Sequence, residues 1–259
     1  MDKTGKRNYL SLDMALTDNL NCWWKLDETS GDRADSVGGM TLTDTNTVAS
    51  TTGIIGNGAL FVDTNSERLS HVHDVLLNPS GSFNFTFWLN LTNKDTKQIP
   101  IAKYHSTNGA NNGSFDFYYE NSVDQFQWRV ARNDTNAFVG KIHSLTPLST
   151  GVWYFISCGC DIDNDVIFIS VNNGTPETAV FTWTPRVHTT ATFSMGDLGT
   201  SGYYYLDGAL DMVGLWSRRL IADELTSLYN SGAGLDYPFA EGETPISIKG
   251  NGAKVGVYL

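Results

Sequence analysis

The residues best placed to do chemistry sit in two stretches near the ends of the chain. Trp23-Trp-Lys-Leu-Asp-Glu-Thr-Ser-Gly-Asp-Arg-Ala-Asp-Ser-Val-Gly-Gly39 runs from an aromatic strand into a loop rich in carboxylates and glycine. Tyr205-Leu-Asp-Gly-Ala-Leu-Asp-Met-Val-Gly-Leu-Trp-Ser-Arg-Arg-Leu-Ile-Ala-Asp-Glu-Leu-Thr-Ser-Leu-Tyr-Asn-Ser-Gly232 joins a strand carrying Asp211 to a short amphipathic helix with a glycine stop. Hard cations take oxygen ligands, so loops of this kind can hold a metal. Both stretches point to binding.

Nothing comparable points to catalysis. The run Asp161-x-Asp163-x-Asp165 has EF-hand spacing, but Val166 and Asn172 stand where that loop needs Gly and Glu. It reads as a hairpin turn. His71 and His73 can share a strand face, yet no third ligand accompanies them, which argues against zinc. Asp116, Glu120 and Asp124 surround a hairpin and do not line up along one strand. No G-x-S-x-G, H-E-x-x-H or phosphate loop is present. Sugar binding needs flat rings beside amides and carboxylates, and the candidates are Tyr104, Tyr118, Trp128, Tyr203 and Tyr204. Rings in a β-protein more often fill the core, so each must be placed before it counts.

The elements that must position these groups are strands. Ser82–Leu91 puts Phe83, Phe85, Phe87, Leu89 and Leu91 on one face and Asn84, Thr86, Trp88 and Asn90 on the other. Phe115–Tyr119 and Phe126–Val130 repeat the alternation around a turn at 120–124, which predicts a hairpin. Val152–Cys160 and Val166–Val171 are more continuously apolar, as inner strands should be. One helix is expected near 222–230, with Leu225, Leu228 and Tyr229 as its apolar stripe. Its expected place is over one open end of the sandwich. Residues 1–18 read as an N-terminal arm, 19–239 as one domain, and 240–259 as a tail or assembly arm.

Composition fits that reading. Charged residues make up 17% of the chain and aromatics 12%. A net charge of −11 argues against nucleic acid and against anionic lipid as main partners. No segment has the ~18 consecutive apolar residues of a membrane helix, so no membrane insertion is expected. Cys158 and Cys160 lie two apart in a strand, with Cα atoms roughly 6.5–7 Å apart, at or beyond disulfide reach. These and Cys22 read as buried thiols. The charged Met1–Arg7 segment is followed by no apolar signal core.

In order and spacing the chain resembles the LamG-like jelly rolls of the concanavalin A-like lectin/glucanase superfamily. The phrases that carry the resemblance are Trp23-Trp-Lys-Leu-Asp-Glu-Thr-Ser-Gly31, Gly56-Asn-Gly-Ala-Leu-Phe61, Phe85-Thr-Phe-Trp88, Trp153-Tyr-Phe-Ile156, Val171-Asn-Asn-Gly174, and Gly208-Ala-Leu-Asp211 through Trp216, Leu220 and Glu224. They span roughly 20–235. One departure is Ile221, where the family has a serine to cap the helix.

The resemblance implies an all-β, two-sheet antiparallel jelly-roll sandwich with one short C-terminal helix. It also implies a structural calcium ion held by Glu28, Asp35 and Asp211, with carbonyls near Ser30 and Gly38. If Asp211 ligates calcium, Asp211→Ala lowers the melting temperature more in calcium than in chelator. Glucanases of this fold carry a Glu-x-Asp-x-(x)-Glu strand that is missing here, so a non-enzymatic module is expected, with a glycoside hydrolase as the alternative. The wording is also similar to LamG-like proteins among tailed-phage structural genes. That implies a virion location (otherwise extracellular) and other virion proteins as partners, in a decoration, fibre or tail role. It also allows a cell-surface glycan as ligand, or a homo-oligomer. A purely structural virion protein without sugar binding is the remaining reading.

Overall fold

A computed structural model of the chain describes residues 15–105, 112–143, 148–199 and 203–239. Most of the expected N-terminal arm and all of the 240–259 tail lie outside the described residues. The strands are β1 (Leu20–Trp24), β2 (Thr43–Thr45), β3 (Ala49–Thr52), β4 (Asn57–Phe61), β5 (Arg68–His71), β6 (Phe83–Leu91), β7 (Gln98–Tyr104), β8 (Gly113–Glu120), β9 (Gln125–Ala131), β10 (Phe138–His143), β11 (Trp153–Asp161), β12 (Val166–Val171), β13 (Glu177–Val180), β14 (Thr192–Met195) and β15 (Gly208–Trp216). Helix α1 spans Ala222–Tyr229.

Two antiparallel sheets form the sandwich. The eight-stranded sheet runs β13-β12-β11-β6-β15-β4-β3, and β1 also pairs with β15. The seven-stranded sheet runs β10-β9-β8-β7-β14-β5-β2. The core between them follows from strand parity. Phe83, Phe85, Phe87, Leu89 and Leu91 of β6 face Phe115, Phe117, Phe126 and Trp128 of the other sheet in one apolar cluster. Trp24 stacks on Phe193 at 5.4 Å, joining β1 to β14 across the sandwich. All three cysteines are buried and free.

The helix is not where the sequence suggested. It lies against the outer face of the eight-stranded sheet instead of closing one mouth. Trp23, Trp88, Phe155 and Trp216 all project from that face and form a second cluster with Leu225 and Leu228. Trp88 stacks on Tyr229 at 5.8 Å. An outward row of large rings must be covered, and an amphipathic helix of this length covers it. Ile221 brings no capping oxygen, so Glu224 accepts the Ile221 N–H at 2.9 Å. Glu224 is buried and held by a bidentate Arg218 at 2.5 and 2.8 Å. The helix stops at Asn230, in the left-handed region at φ 45°, and not at Gly232.

Candidate functional site

With the helix on one sheet, the outer face of the seven-stranded sheet is the other large surface. Hairpin β8–β9 builds its centre. Phe115, Phe117 and Tyr119 point inward, so Asp116, Tyr118 and Glu120 point outward. Register pairs Asp116 with Arg129, Tyr118 with Gln127, and Glu120 with Gln125. Arg129 forks onto Asp116 with Nε at 2.8 Å and Nη2 at 2.5 Å. Burial works against the Arg129 charge, but Asp116 outweighs it and holds the guanidinium above its ordinary range. The Arg129 guanidinium lies 4.8 Å from the ring centres of both Tyr118 and Phe138.

Lys97, on the approach to β7, closes the other side. Its Nζ is 3.8 Å from the Tyr118 ring and 5.4 Å from the Tyr204 ring, and it bonds Glu120 at 3.2 Å. Burial pulls the Glu120 carboxyl upward, but hydrogen bonds from Lys97 and Ser122 outweigh it and hold it below the ordinary carboxylate range. A segment running beside the start of β7 supplies the exposed rings. Its Tyr204 carbonyl accepts the Ile99 N–H at 2.9 Å. Tyr203 is 65% and Tyr204 48% exposed, with ring centres 6.3 Å apart.

The candidate rings therefore divide. Tyr203 and Tyr204 are open to solvent. Tyr104 is half-buried and stacks on Phe138 at 6.2 Å. Gly113 permits this, because a Cβ there would sit 2.5 Å from the Tyr104 ring and 3.2 Å from that of Phe138. Tyr118, 5% exposed, is covered by the two cations and serves as a floor. Burial raises its phenol to about 12. Trp128 has to be corrected. It is fully buried in the core and donates its indole N–H to the Gly159 carbonyl at 3.0 Å, so it offers no face to a sugar. Phe138, Lys97 and Arg129 were not among the candidates, and Asp116 and Glu120 were weighed only as catalytic carboxylates. The hairpin register already placed Asp116 opposite Arg129, and that signal could have found the pair.

The three carboxylates expected to hold calcium serve separate loops. Asp35 is a turn cap. Its Oδ1 accepts the Trp23 and Val37 N–H groups at 2.8 and 3.0 Å, and its Oδ2 accepts those of Gly38 and Met40 at 2.8 and 2.9 Å. Glu28 Oε1 accepts the Ala34 N–H at 2.7 Å, while Oε2 is buried without a partner. Asp211 is fully buried. Its Oδ2 accepts the Ile54 and Ile55 N–H groups at 2.7 and 3.3 Å, and its Oδ1 has no partner. Among the described residues no three His, Cys, Asp or Glu side chains gather where they could hold a metal. The donors present do not fit a three-carboxylate cage, because Asp35 is already spent on four backbone donors.

Asp211 sits at an irregularity in the β15–β6 register between Asp211 and Gly214, where Met212 adopts φ 44°. A side chain at Gly53 would lie 2.5 Å from its Oδ2, so the loop can approach only as glycine. Burial pushes the Asp211 carboxyl up to about 7, against the downward pull of the Ile54, Ile55 and Met212 N–H groups; Asp27 adds to the rise.

A groove of about 1230 Å³ lies elsewhere, between the start of α1 and the turns after β11 and β12. Asp161, Asn164, Asn173, Arg219 and Ile221 line it. Arg219 is bound by Asp161 at 3.2 Å and rests on Phe168 at 4.1 Å.

A closed apolar sandwich, a helix over one sheet and a ring-bearing outer face on the other define a lectin-like β-sandwich. The profile of the concanavalin A-like lectin/glucanases superfamily matches residues 63–226, and the chain belongs to that family. A search of curated proteins finds no match. Similar solved structures share the fold at low identity. Domain 4 of AbnA, a GH43 extracellular arabinanase from Geobacillus stearothermophilus in complex with arabinotriose, is 13% identical with a TM-score of 0.63; the match covers 84% of this chain and 98% of that one. The binding domain of Paraclostridial Mosquitocidal Protein 1 is 16% identical with a TM-score of 0.63, covering 83% and 52%. A Trypanosoma rangeli sialidase in complex with sialic acid is 12% identical with a TM-score of 0.57, covering 84% and 34%. This chain thus spans about half of the toxin domain and a third of the sialidase.

Proposed function

We propose that this chain is a non-catalytic glycan-binding module that uses the outer face of its seven-stranded sheet. The carrying observation is the exposed Tyr203–Tyr204 pair beside the Lys97–Glu120 and Arg129–Asp116 ion pairs. Exposed rings stack on the C–H face of a sugar while neighbouring polar groups bond its hydroxyls. The arabinotriose complex of a similarly folded domain supports the choice of ligand class.

The non-catalytic reading is supported by the state of the two outward carboxylates. A general acid of a glycosidase needs a raised pKa, whereas Glu120 is held low and Asp116 is locked to Arg129. A glycoside hydrolase is the alternative. The setting proposed is a tailed-phage particle, where a module of this kind would contact host-surface glycans beside other virion proteins. That part rests on the sequence resemblance alone.

The test is binding of the full chain to arrayed glycans, with Tyr203→Ala/Tyr204→Ala as control. Loss of about tenfold or more in affinity at unchanged melting temperature is expected. Equal binding by the double variant removes this face as the site. Release of reducing sugar by the wild type overturns the non-catalytic reading.

A further inference from the structure

Resting on that reading, we infer that the outer face selects uncharged glycans, neutral hexose or pentose chains, and turns away carboxylated or sulfated ones. Each cation that covers a ring here is already held by a carboxylate. Lys97 is bound to Glu120, and Arg129 is forked onto the fully buried Asp116. An acidic sugar would bring its charge against Glu120 or Asp116, and could take the bidentate face of Arg129 only by displacing Asp116. Removing Asp116 from Arg129 leaves a buried charge without its partner, which is strongly unfavourable. A chain of net charge −11 also repels a polyanion before contact.

A neutral sugar meets no such barrier. Arg129 uses Nε and Nη2 on Asp116 and keeps Nη1, and the Lys97 ammonium has three donors, of which Glu120 takes one. These donors suit hydroxyl oxygens. Glu120, 27% exposed at its side chain, keeps lone pairs that suit hydroxyl hydrogens. Alternating donors and acceptors beside a ring match adjacent hydroxyls on one sugar. The cations also hold the Tyr118 floor in place, so little ordering remains at binding.

The test measures the full chain against two sets of immobilised polymers. The neutral set is arabinan, mannan and β-glucan; the acidic set is polygalacturonate, hyaluronate and a sialylated oligosaccharide. Binding to at least one neutral polymer is expected, changing less than about twofold between low and high salt, because exposed charge pairs are not being exchanged. Acidic polymers should bind at least about tenfold more weakly. Glu120→Gln frees Lys97, so the acidic-to-neutral affinity ratio should rise about tenfold. A wild type that binds acidic polymers as well as neutral ones, with loss on Tyr203→Ala/Tyr204→Ala, overturns the selectivity and leaves the glycan reading standing. An unchanged ratio in Glu120→Gln overturns the charge argument. No binding to either set overturns both.

Discussion

Asp211→Asn separates a buried proton from a bound cation, and the structure sets its size. The folded Asp211 carboxyl stands at about 7 against an ordinary value of 3.8. Between those pH values the folded state keeps a proton that the unfolded chain has lost. Stability therefore falls as pH rises through this window and levels off above about 7. From pH 5 to pH 8 the wild type should lose roughly 3 kcal/mol from this group, at about 1.4 kcal/mol per pH unit below the folded pKa. Asparagine keeps an acceptor for the Ile54 and Ile55 N–H groups and cannot ionise. Its amide then occupies the place of the partnerless Oδ1 at a cost of about 1–3 kcal/mol. The variant should be equal to or weaker than the wild type at pH 5 and should gain on it by roughly 3 kcal/mol at pH 8. Urea unfolding followed by tryptophan fluorescence, at both pH values and in calcium or chelator, measures this. Groups other than Asp211 titrate in both proteins and cancel. A difference that does not change with pH would falsify the buried-proton account. A loss of stability in Asp211→Asn seen only with calcium would show that a cation balances the charge instead.

Other outcomes follow from buried polar groups. Lys103 is fully buried with Nζ bonded to the Ala191 carbonyl at 2.7 Å, and burial lowers it to about 8. Its charge costs the fold below pH 8, and the cost fades as the unfolded lysine also loses its proton near 10.5. Lys103→Met should stabilise by about 1–3 kcal/mol at pH 7 and by much less at pH 10.5 in denaturant titrations; a destabilised variant at pH 7 refutes this. Trp128→Phe removes the indole bond to Gly159 and should cost about 1–3 kcal/mol while leaving glycan affinity unchanged. Weaker glycan binding at an intact melting temperature would return Trp128 to the site.

Much of the fold was legible because a strand repeats every two residues. The row from Phe83 to Leu91 named its inner face, and it is buried in the central core as expected. The turn at 120–124 set the hairpin register, and β8 and β9 pair accordingly. Local signals also marked a helix near 222–230, and one forms over Ala222–Tyr229. Parity of Trp88 showed that a ring points outward, but not what covers it, since that depends on Trp23, Phe155 and Trp216 arriving from other strands.

The sequence by itself determined the alternation of the strands, their turns and helix α1, because each depends on residues a few positions apart. The tertiary structure alone decided which acids are spent on backbone donors, which rings face solvent and where the helix lies. Asp35, Asp211, Trp128 and Tyr203 look alike as candidates along the chain. Asp35 is spent on backbone donors within 12 residues, but Asp211 meets Ile54 from 157 residues off, and Trp128 meets Gly159 from 31. Burial and hydrogen bonding fix the chemistry of a polar side chain, and both are properties of the packed sandwich.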